Sequence, residues 1–88
     1  MTQAQLSAAI GRIAEMERIF EILTACKDGE AKRGPVFCAM LRRLRRYYEG
    51  GQWLRDYALD EAGLLPRELK RGVLSQDGVY DLLTELKG

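Results

Sequence analysis

The sequence predicts an all-α protein, a small four-helix bundle with a long N-terminal helix. Apolar residues recur at three- and four-residue steps in separate segments, which is the period of an amphipathic helix. Glycine and proline separate these segments, as at Gly34-Pro35 and Gly50-Gly51, where they are typical of helix ends and starts. A chain of 88 residues has room for one small hydrophobic core. We therefore expect residues 1–88 to form a single domain.

The first helix is predicted over residues 3–27. Thr2 and Gln5 have the spacing of a capping box at its start, and Asp28-Gly29 marks its end. The main apolar stripe consists of Leu6, Ile10, Ile13, Met16, Phe20 and Leu23. A second apolar edge consists of Ala8, Ile19, Ile22 and Cys26. Either another helix of the same bundle or a second copy of the chain must cover this edge.

The remaining helices follow a turn at residues 28–34. The second is predicted over residues 35–49 and the third over residues 52–62, before Gly63. An extra short helical turn is predicted near residues 66–71, with Gly72 in the left-handed conformation. Two apolar residues then enter the core, and the last helix begins after its N-cap. The residues concerned are Val73 and Leu74, the N-cap Ser75, Asp77 in the first turn, and the stripe Val79, Leu82, Leu83 and Leu86.

Composition argues against several functions. The chain has no histidine, so the commonest general base and the histidine-dependent nucleophile pairs are missing. We expect no enzyme activity, no cofactor and no metal. Cys26 and Cys38 are expected as reduced, partly buried thiols, with a disulfide between them as the alternative. No apolar run is long enough to cross a bilayer and the N-terminus does not look like a signal peptide, so we expect a cytoplasmic protein without a membrane partner.

The third helix carries an unusual face, formed by Trp53, Asp56, Tyr57 and Asp60 at i, i+3, i+4 and i+7. In the structural interpretation, Asp56 and Asp60 pair with Lys70 or Arg71. The predicted structural lock then consists of Tyr47, Tyr48, Lys70, Arg71, Ser75 and Asp77. In the functional interpretation the same helix face is a binding surface, to which Glu61 could add a third carboxylate for Mg²⁺ or Ca²⁺, although no EF-hand spacing is present.

A basic face on the second helix gives the other candidate site, Arg42, Arg43, Arg45 and Arg46. Residues 41–56 carry five basic and two acidic groups. Clustered positive charge attracts phosphate, but these arginines spread over nearly half of the helix circumference, as solvated residues do. The face is therefore either a solvated surface or a nucleic-acid site.

Residues 47–83 contain the pattern YYxxxxWxxDxxxDExGxLPxxLKRGVLSxDxxYDLL, and the first helix contains Arg12-Ile13 and Met16-Glu17. In these residues, much of the chain resembles a family of short bacterial proteins classed as a domain of unknown function. Two positions depart from the pattern, Gln76 in place of an acidic residue and Gly50 in place of a frequent serine. The resemblance implies a compact helical protein of the bacterial cytoplasm and carries no activity with it.

On these grounds the predicted function is protein–protein interaction, including self-association as a homodimer. The predicted surfaces are the aromatic and acidic face around Trp53 and the second edge of the first helix. The alternative is a nucleic-acid-associated accessory protein that uses the arginine face.

Overall fold

The computed structural model describes residues 2–27 and 34–86. Within these ranges the chain forms four α-helices and a short 3-10 helix: α1 Gln3–Cys26, α2 Pro35–Glu49, α3 Gln52–Glu61, the 3-10 helix Gly72–Leu74, and α4 Gln76–Glu85. This architecture confirms the predicted all-α bundle with a long first helix. Residues 28–33 of the turn predicted after α1 lie outside the described residues.

Local sequence signals set the helix starts. The Gln5 backbone N–H donates to Thr2 Oγ1 and the Thr2 backbone N–H donates to Gln5 Oε1, so the predicted capping box is present. Pro35 opens α2, where its missing N–H costs no hydrogen bond. Ser75 caps α4 by accepting from the Gly78 N–H at 3.4 Å, and Asp77 lies in the first turn.

The end of α3 forms a Schellman motif. Gly63 has φ +72°, a conformation that glycine adopts without the clash of a Cβ atom. Its N–H donates to Asp60 O at 3.0 Å, and the Leu64 N–H donates to Leu59 O at 3.1 Å. These two bonds satisfy carbonyl groups that the helix end leaves free.

The segment after α3 contains the predicted extra turn, in which the Leu69 N–H donates to Pro66 O at 3.2 Å. The expectation of a left-handed Gly72 is wrong, since positive φ among the described residues is confined to Gly51 and Gly63. Gly72 instead begins the 3-10 helix, with the carboxylate of Glu17 against its backbone. A Cβ atom at position 72 would lie 3.1 and 3.3 Å from the two Glu17 oxygens.

The 3-10 helix lies at the centre of the fold and contacts α1, α3 and α4. Val73 and Leu74 are buried, as predicted, in an apolar cluster to which all four helices contribute. The second edge of α1 is partly covered within the chain, because Ile19 is buried while Ile22 is 37% exposed. Ala8 on the same edge is exposed.

Two of the sequence-based expectations concern the cysteines and a membrane crossing. Cys26 and Cys38 are both half-buried, and no disulfide joins them. None of the helices in the described part of the chain combines the length and the apolar character that a membrane crossing requires.

Candidate functional site

The polar centre of the fold is Asp56, whose side chain is 0% exposed. Arg12 on α1 donates from Nη2 to Asp56 Oδ1 at 2.6 Å and from Nε to Oδ2 at 2.9 Å. The Tyr47 hydroxyl on α2 donates to Asp56 Oδ2 at 2.7 Å. One carboxylate on α3 therefore connects three helices, through a bidentate ion pair of the geometry that arginine favours. We call Arg12, Tyr47 and Asp56 the Asp56 cluster.

A second polar connection holds the 3-10 helix. The Val73 N–H donates to Glu17 Oε1 at 2.7 Å, and Val73 O accepts from Trp53 Nε1 at 2.8 Å. Both backbone groups of one buried residue are thus bound by side chains from two different helices. The short segment enters the core without leaving these groups unsatisfied, which would cost about 1–3 kcal/mol each. Across the described residues, every buried side-chain nitrogen and oxygen has a hydrogen-bond partner.

Aromatic rings surround this connection. Trp53 meets Tyr48 edge-on, with 5.0 Å between ring centroids, and stacks on Tyr57 at 5.1 Å. Such contacts add to the stabilisation gained by burying the ring surfaces. The indole is therefore held by two ring contacts and by the hydrogen bond of its N–H, and only 4% of its surface is exposed.

The structure corrects the predicted accessibility of the third-helix face. Trp53 and Asp56 are buried, whereas Tyr57 and Asp60 are half-buried. The four residues consequently do not form the exposed aromatic and acidic surface expected from their spacing. The physical reason is that the 3-10 helix and α2 pack against α3, while the Arg12 side chain of α1 reaches the Asp56 carboxylate.

The predicted ion pairs are partly present. Asp60 Oδ1 accepts from Arg71 Nη1 at 2.6 Å, as expected. The expected partner of Asp56 is wrong, because Arg12 occupies its carboxylate rather than Lys70 or Arg71. Lys70 is exposed and lies 3.7 Å from the carboxylate of Glu21.

Burial and these hydrogen bonds raise the pKa values of several groups. Desolvation is the main reason that the pKa of Tyr47 is raised, and its hydrogen bond to Asp56 raises it further. The hydrogen bond to Asp56 raises the pKa of Arg12. Burial raises the pKa of Glu17, against the opposing effect of the Val73 N–H. Tyr57 has a raised pKa because its hydroxyl interacts with Glu61. Tyr47 and Arg12 are therefore kept protonated, as donors to the buried carboxylate.

The sequence did not predict that Arg12 would pair with Asp56. Nor did it predict that Glu17 would accept from the Val73 N–H. A signal for both was present in the helical period of α1. Arg12 follows Ala9 by three residues and Glu17 follows Ile13 by four, so both charged residues lie within buried stripes. A charged residue in such a stripe predicts a buried partner.

Outside the core, residues of α2 and α4 line a groove with a volume of about 250 Å³. We call it the α2–α4 groove, and its residues are Arg45, Tyr48, Glu49, Tyr80, Leu83 and Thr84. Beside it lies an open depression of about 400 Å³, the arginine depression, lined by Arg42, Arg45, Arg46, Glu49 and Gly50. The two share Arg45 and Glu49, so they form one continuous surface.

The four arginines of the predicted basic face do not all lie on one surface. Arg43 pairs with Glu15 on α1 at 2.6 Å and points away from the depression. Arg45 is 3.9 Å from Glu49, one turn further along α2. Three of the four arginines therefore share one depression, and the fourth connects α2 to α1.

The three carboxylates suggested as Mg²⁺ or Ca²⁺ ligands, those of Asp56, Asp60 and Glu61, do not form a metal-binding group in the described part of the chain. Asp56 binds Arg12 and Tyr47, and Asp60 binds Arg71. Within residues 2–27 and 34–86, no three side chains of the acidic or thiol type are grouped in a way that could hold a metal ion.

The fold is a small all-α bundle whose mainly apolar core holds a short 3-10 helix in contact with α1, α3 and α4. More specifically, the chain belongs to the family described as a domain of unknown function, DUF4298, whose model matches residues 13–88. This match confirms the family resemblance expected from the sequence. Searches of the curated proteins and of the solved structures gave no match.

Proposed function

We propose that the protein is a protein-binding module and that the α2–α4 groove is its binding surface. The observation that carries the proposal is Tyr80, which is 59% exposed while it lines the groove with half-buried Tyr48 and buried Leu83. Tyrosine is enriched in protein interfaces, since its ring offers apolar area and its hydroxyl offers a hydrogen bond. We also propose that this binding takes place in the bacterial cytoplasm, as the family resemblance implies.

The arrangement of the buried carboxylates supports a binding function over an enzymatic one. Asp56 has both oxygens engaged by Arg12 and Tyr47, and Glu17 is engaged by the backbone of Val73. A general acid or base must reach a substrate proton within hydrogen-bond distance. These two carboxylates are turned into the core, so we propose that the protein is not an enzyme.

Site-specific photo-crosslinking tests the binding surface. A photoreactive phenylalanine analogue replaces Tyr80 in the full chain, and this variant is expressed in bacterial cells. The matched control carries the same analogue in place of Leu54, which is 64% exposed on α3 and does not line the groove. We expect a discrete crosslinked protein from position 80 and none from position 54. Equal products from both positions, or none from position 80, would reject the groove.

A second candidate function is nucleic-acid association through the arginine depression, because three arginines converge there around one glutamate. Binding of a labelled single-stranded oligonucleotide, measured over a range of salt concentrations, tests it. Phosphate contacts must weaken steeply with salt. The variant Arg42→Gln/Arg46→Gln should then lose affinity, while Arg55→Gln/Arg67→Gln, which removes two exposed charges elsewhere, should not. Equal affinity of the two variants would reject this function.

A further inference from the structure

We propose that the α2–α4 groove and the arginine depression together take an acidic linear segment of a partner protein, with an aromatic anchor in the groove. This inference rests on the proposed binding function and specifies the chemistry of the partner. The two surfaces are continuous, because they share Arg45 and Glu49. A ligand in the groove therefore meets the arginines without a gap.

Charge complementarity selects the acidic partner. The depression presents three arginines and one glutamate, Arg42, Arg45, Arg46 and Glu49. Arg45 already lies 3.9 Å from Glu49, whereas the other two arginines are exposed. Guanidinium groups bind carboxylates in a planar, bidentate geometry, so side chains of aspartate or glutamate suit these positions.

The groove itself suits an apolar ring. Tyr48 and Tyr80 present aromatic rings, Leu83 provides an apolar surface, and Thr84 adds a hydroxyl at the rim. Aromatic rings pack favourably against such surfaces in edge-on or offset geometry. A volume of about 250 Å³ admits one large side chain rather than a folded element.

Helix geometry sets the spacing within the partner segment. Arg42 and Tyr48 are about 9 Å apart along the axis of α2, at ~1.5 Å per residue. An extended peptide covers this distance in about three residues. Asp77 lies one turn before Tyr80 on α4, where it would repel a carboxylate. The acidic residues therefore lie on the arginine side of the anchor, within about three residues of it.

Selection from a phage library of random linear peptides on the immobilised full-length protein tests the inference. We expect enriched peptides in which aspartate or glutamate lies within about three residues of an aromatic residue. In anisotropy measurements on a labelled enriched peptide, replacing its acidic residues by amides, or its aromatic residue by alanine, should each weaken binding at least about tenfold, which is about 1.4 kcal/mol. Trp53, which contacts Tyr48, offers a second readout through its emission.

Matched protein variants locate the site. Tyr80→Ala and Arg42→Gln/Arg46→Gln should each reduce the affinity for the enriched peptide at least about tenfold. Leu54→Ala and Arg55→Gln/Arg67→Gln should leave it unchanged. Far-ultraviolet circular dichroism and the melting temperature verify that each variant is folded.

Several outcomes would overturn the inference: no enriched motif, a motif without acidic residues, or an affinity that Tyr80→Ala leaves unchanged. Preferred binding of an oligonucleotide would assign the surface to nucleic acid. A concentration-dependent dimer that Tyr80→Ala abolishes, seen by sedimentation velocity, would assign the groove to a second copy of the chain. If the peptides fail while position 80 still crosslinks to a partner, this inference falls and the proposed binding function stands.

Discussion

Arg12 on α1 and Asp56 on α3 form a bidentate ion pair in the interior of the fold, with distances of 2.6 and 2.9 Å between their atoms. The carboxylate is entirely buried, whereas the arginine side chain is 28% exposed. The pair brings together residues that are 44 positions apart in the chain. It therefore fixes the long first helix against the third helix.

Removing Arg12 should destabilise the protein strongly. Arg12→Met leaves a buried carboxylate without its counter-charge, and we expect the free energy of unfolding to fall by about 3–5 kcal/mol. Tyr47→Phe removes one hydrogen bond to the same carboxylate and should cost about 1.5–3 kcal/mol. Urea denaturation measures both values.

The triple variant Arg12→Met/Tyr47→Phe/Asp56→Leu is the control for this prediction. It removes the charge together with its partners, so it should recover much of the lost stability. Single variants within about 0.5 kcal/mol of the parent would show that the Asp56 cluster contributes little to stability.

Glu17 should make stability depend on pH. Burial raises the pKa of Glu17 in the folded state, and the neighbouring Glu21 raises it further. A raised folded-state pKa contributes stability that is fully present below the unfolded pKa of about 4.3. This contribution is lost as the pH rises through the folded-state pKa. Glu17→Gln keeps an oxygen acceptor for the Val73 N–H and does not ionise.

The measurement is the melting temperature of Glu17→Gln minus that of the parent, at about pH 4 and about pH 7. We expect this difference to become more positive at the higher pH. Glu68→Gln, at an exposed glutamate, is the matched control and should show little change. A difference for Glu17→Gln that is constant with pH would contradict the prediction.

Gly72 should not tolerate a larger residue. In Gly72→Ala the added methyl group would lie 3.1 and 3.3 Å from the Glu17 carboxylate oxygens, so the contact between Glu17 and Val73 must shift. We expect a loss of about 1–3 kcal/mol in the free energy of unfolding. The control is Gly11→Ala in α1, where a Cβ atom meets nothing within 4 Å. That change should stabilise the helix by about 0.5–1 kcal/mol, and equal stabilities of the two variants would reject the prediction.

The ion pair between Asp60 and Arg71 should contribute less than the Asp56 cluster. Both side chains are partly exposed, at 27% and 34%, so water weakens their attraction. A double-mutant cycle of Asp60→Asn and Arg71→Gln should give a coupling energy of about 0.5–1 kcal/mol. Strictly additive effects would show that the two residues do not stabilise the junction between α3 and the following segment.

Much of the fold could be predicted because its signals are local. The capping box of Thr2 and Gln5, the opening Pro35, the Schellman residue Gly63 and the N-cap Ser75 each act within a few residues of their own position. The apolar period identified the four helices, and Val73 and Leu74 were correctly expected to enter the core before the last helix.

The candidate site was only partly accessible from the sequence. The spacing of Trp53 and Asp56 marked them as unusual, but a helical wheel gives the direction of a side chain and not the element that covers it. The sequence therefore left open whether these two side chains are packed in the interior or exposed as a binding surface. The α2–α4 groove was missed, since Tyr48 and Tyr80 belong to helices whose packing the sequence does not specify.

The sequence by itself determined the helices and most of their ends, since these depend on local hydrogen bonds and periodicity, and it pointed to the family whose model matches residues 13–88. Only the tertiary structure decided which charged groups are partners. Glu17 meets Val73 across 56 positions because the 3-10 helix packs against α1, and Arg12 on α1 meets Asp56 on α3 across 44 positions. Such contacts depend on how the helices pack, and that packing is a property of the whole chain.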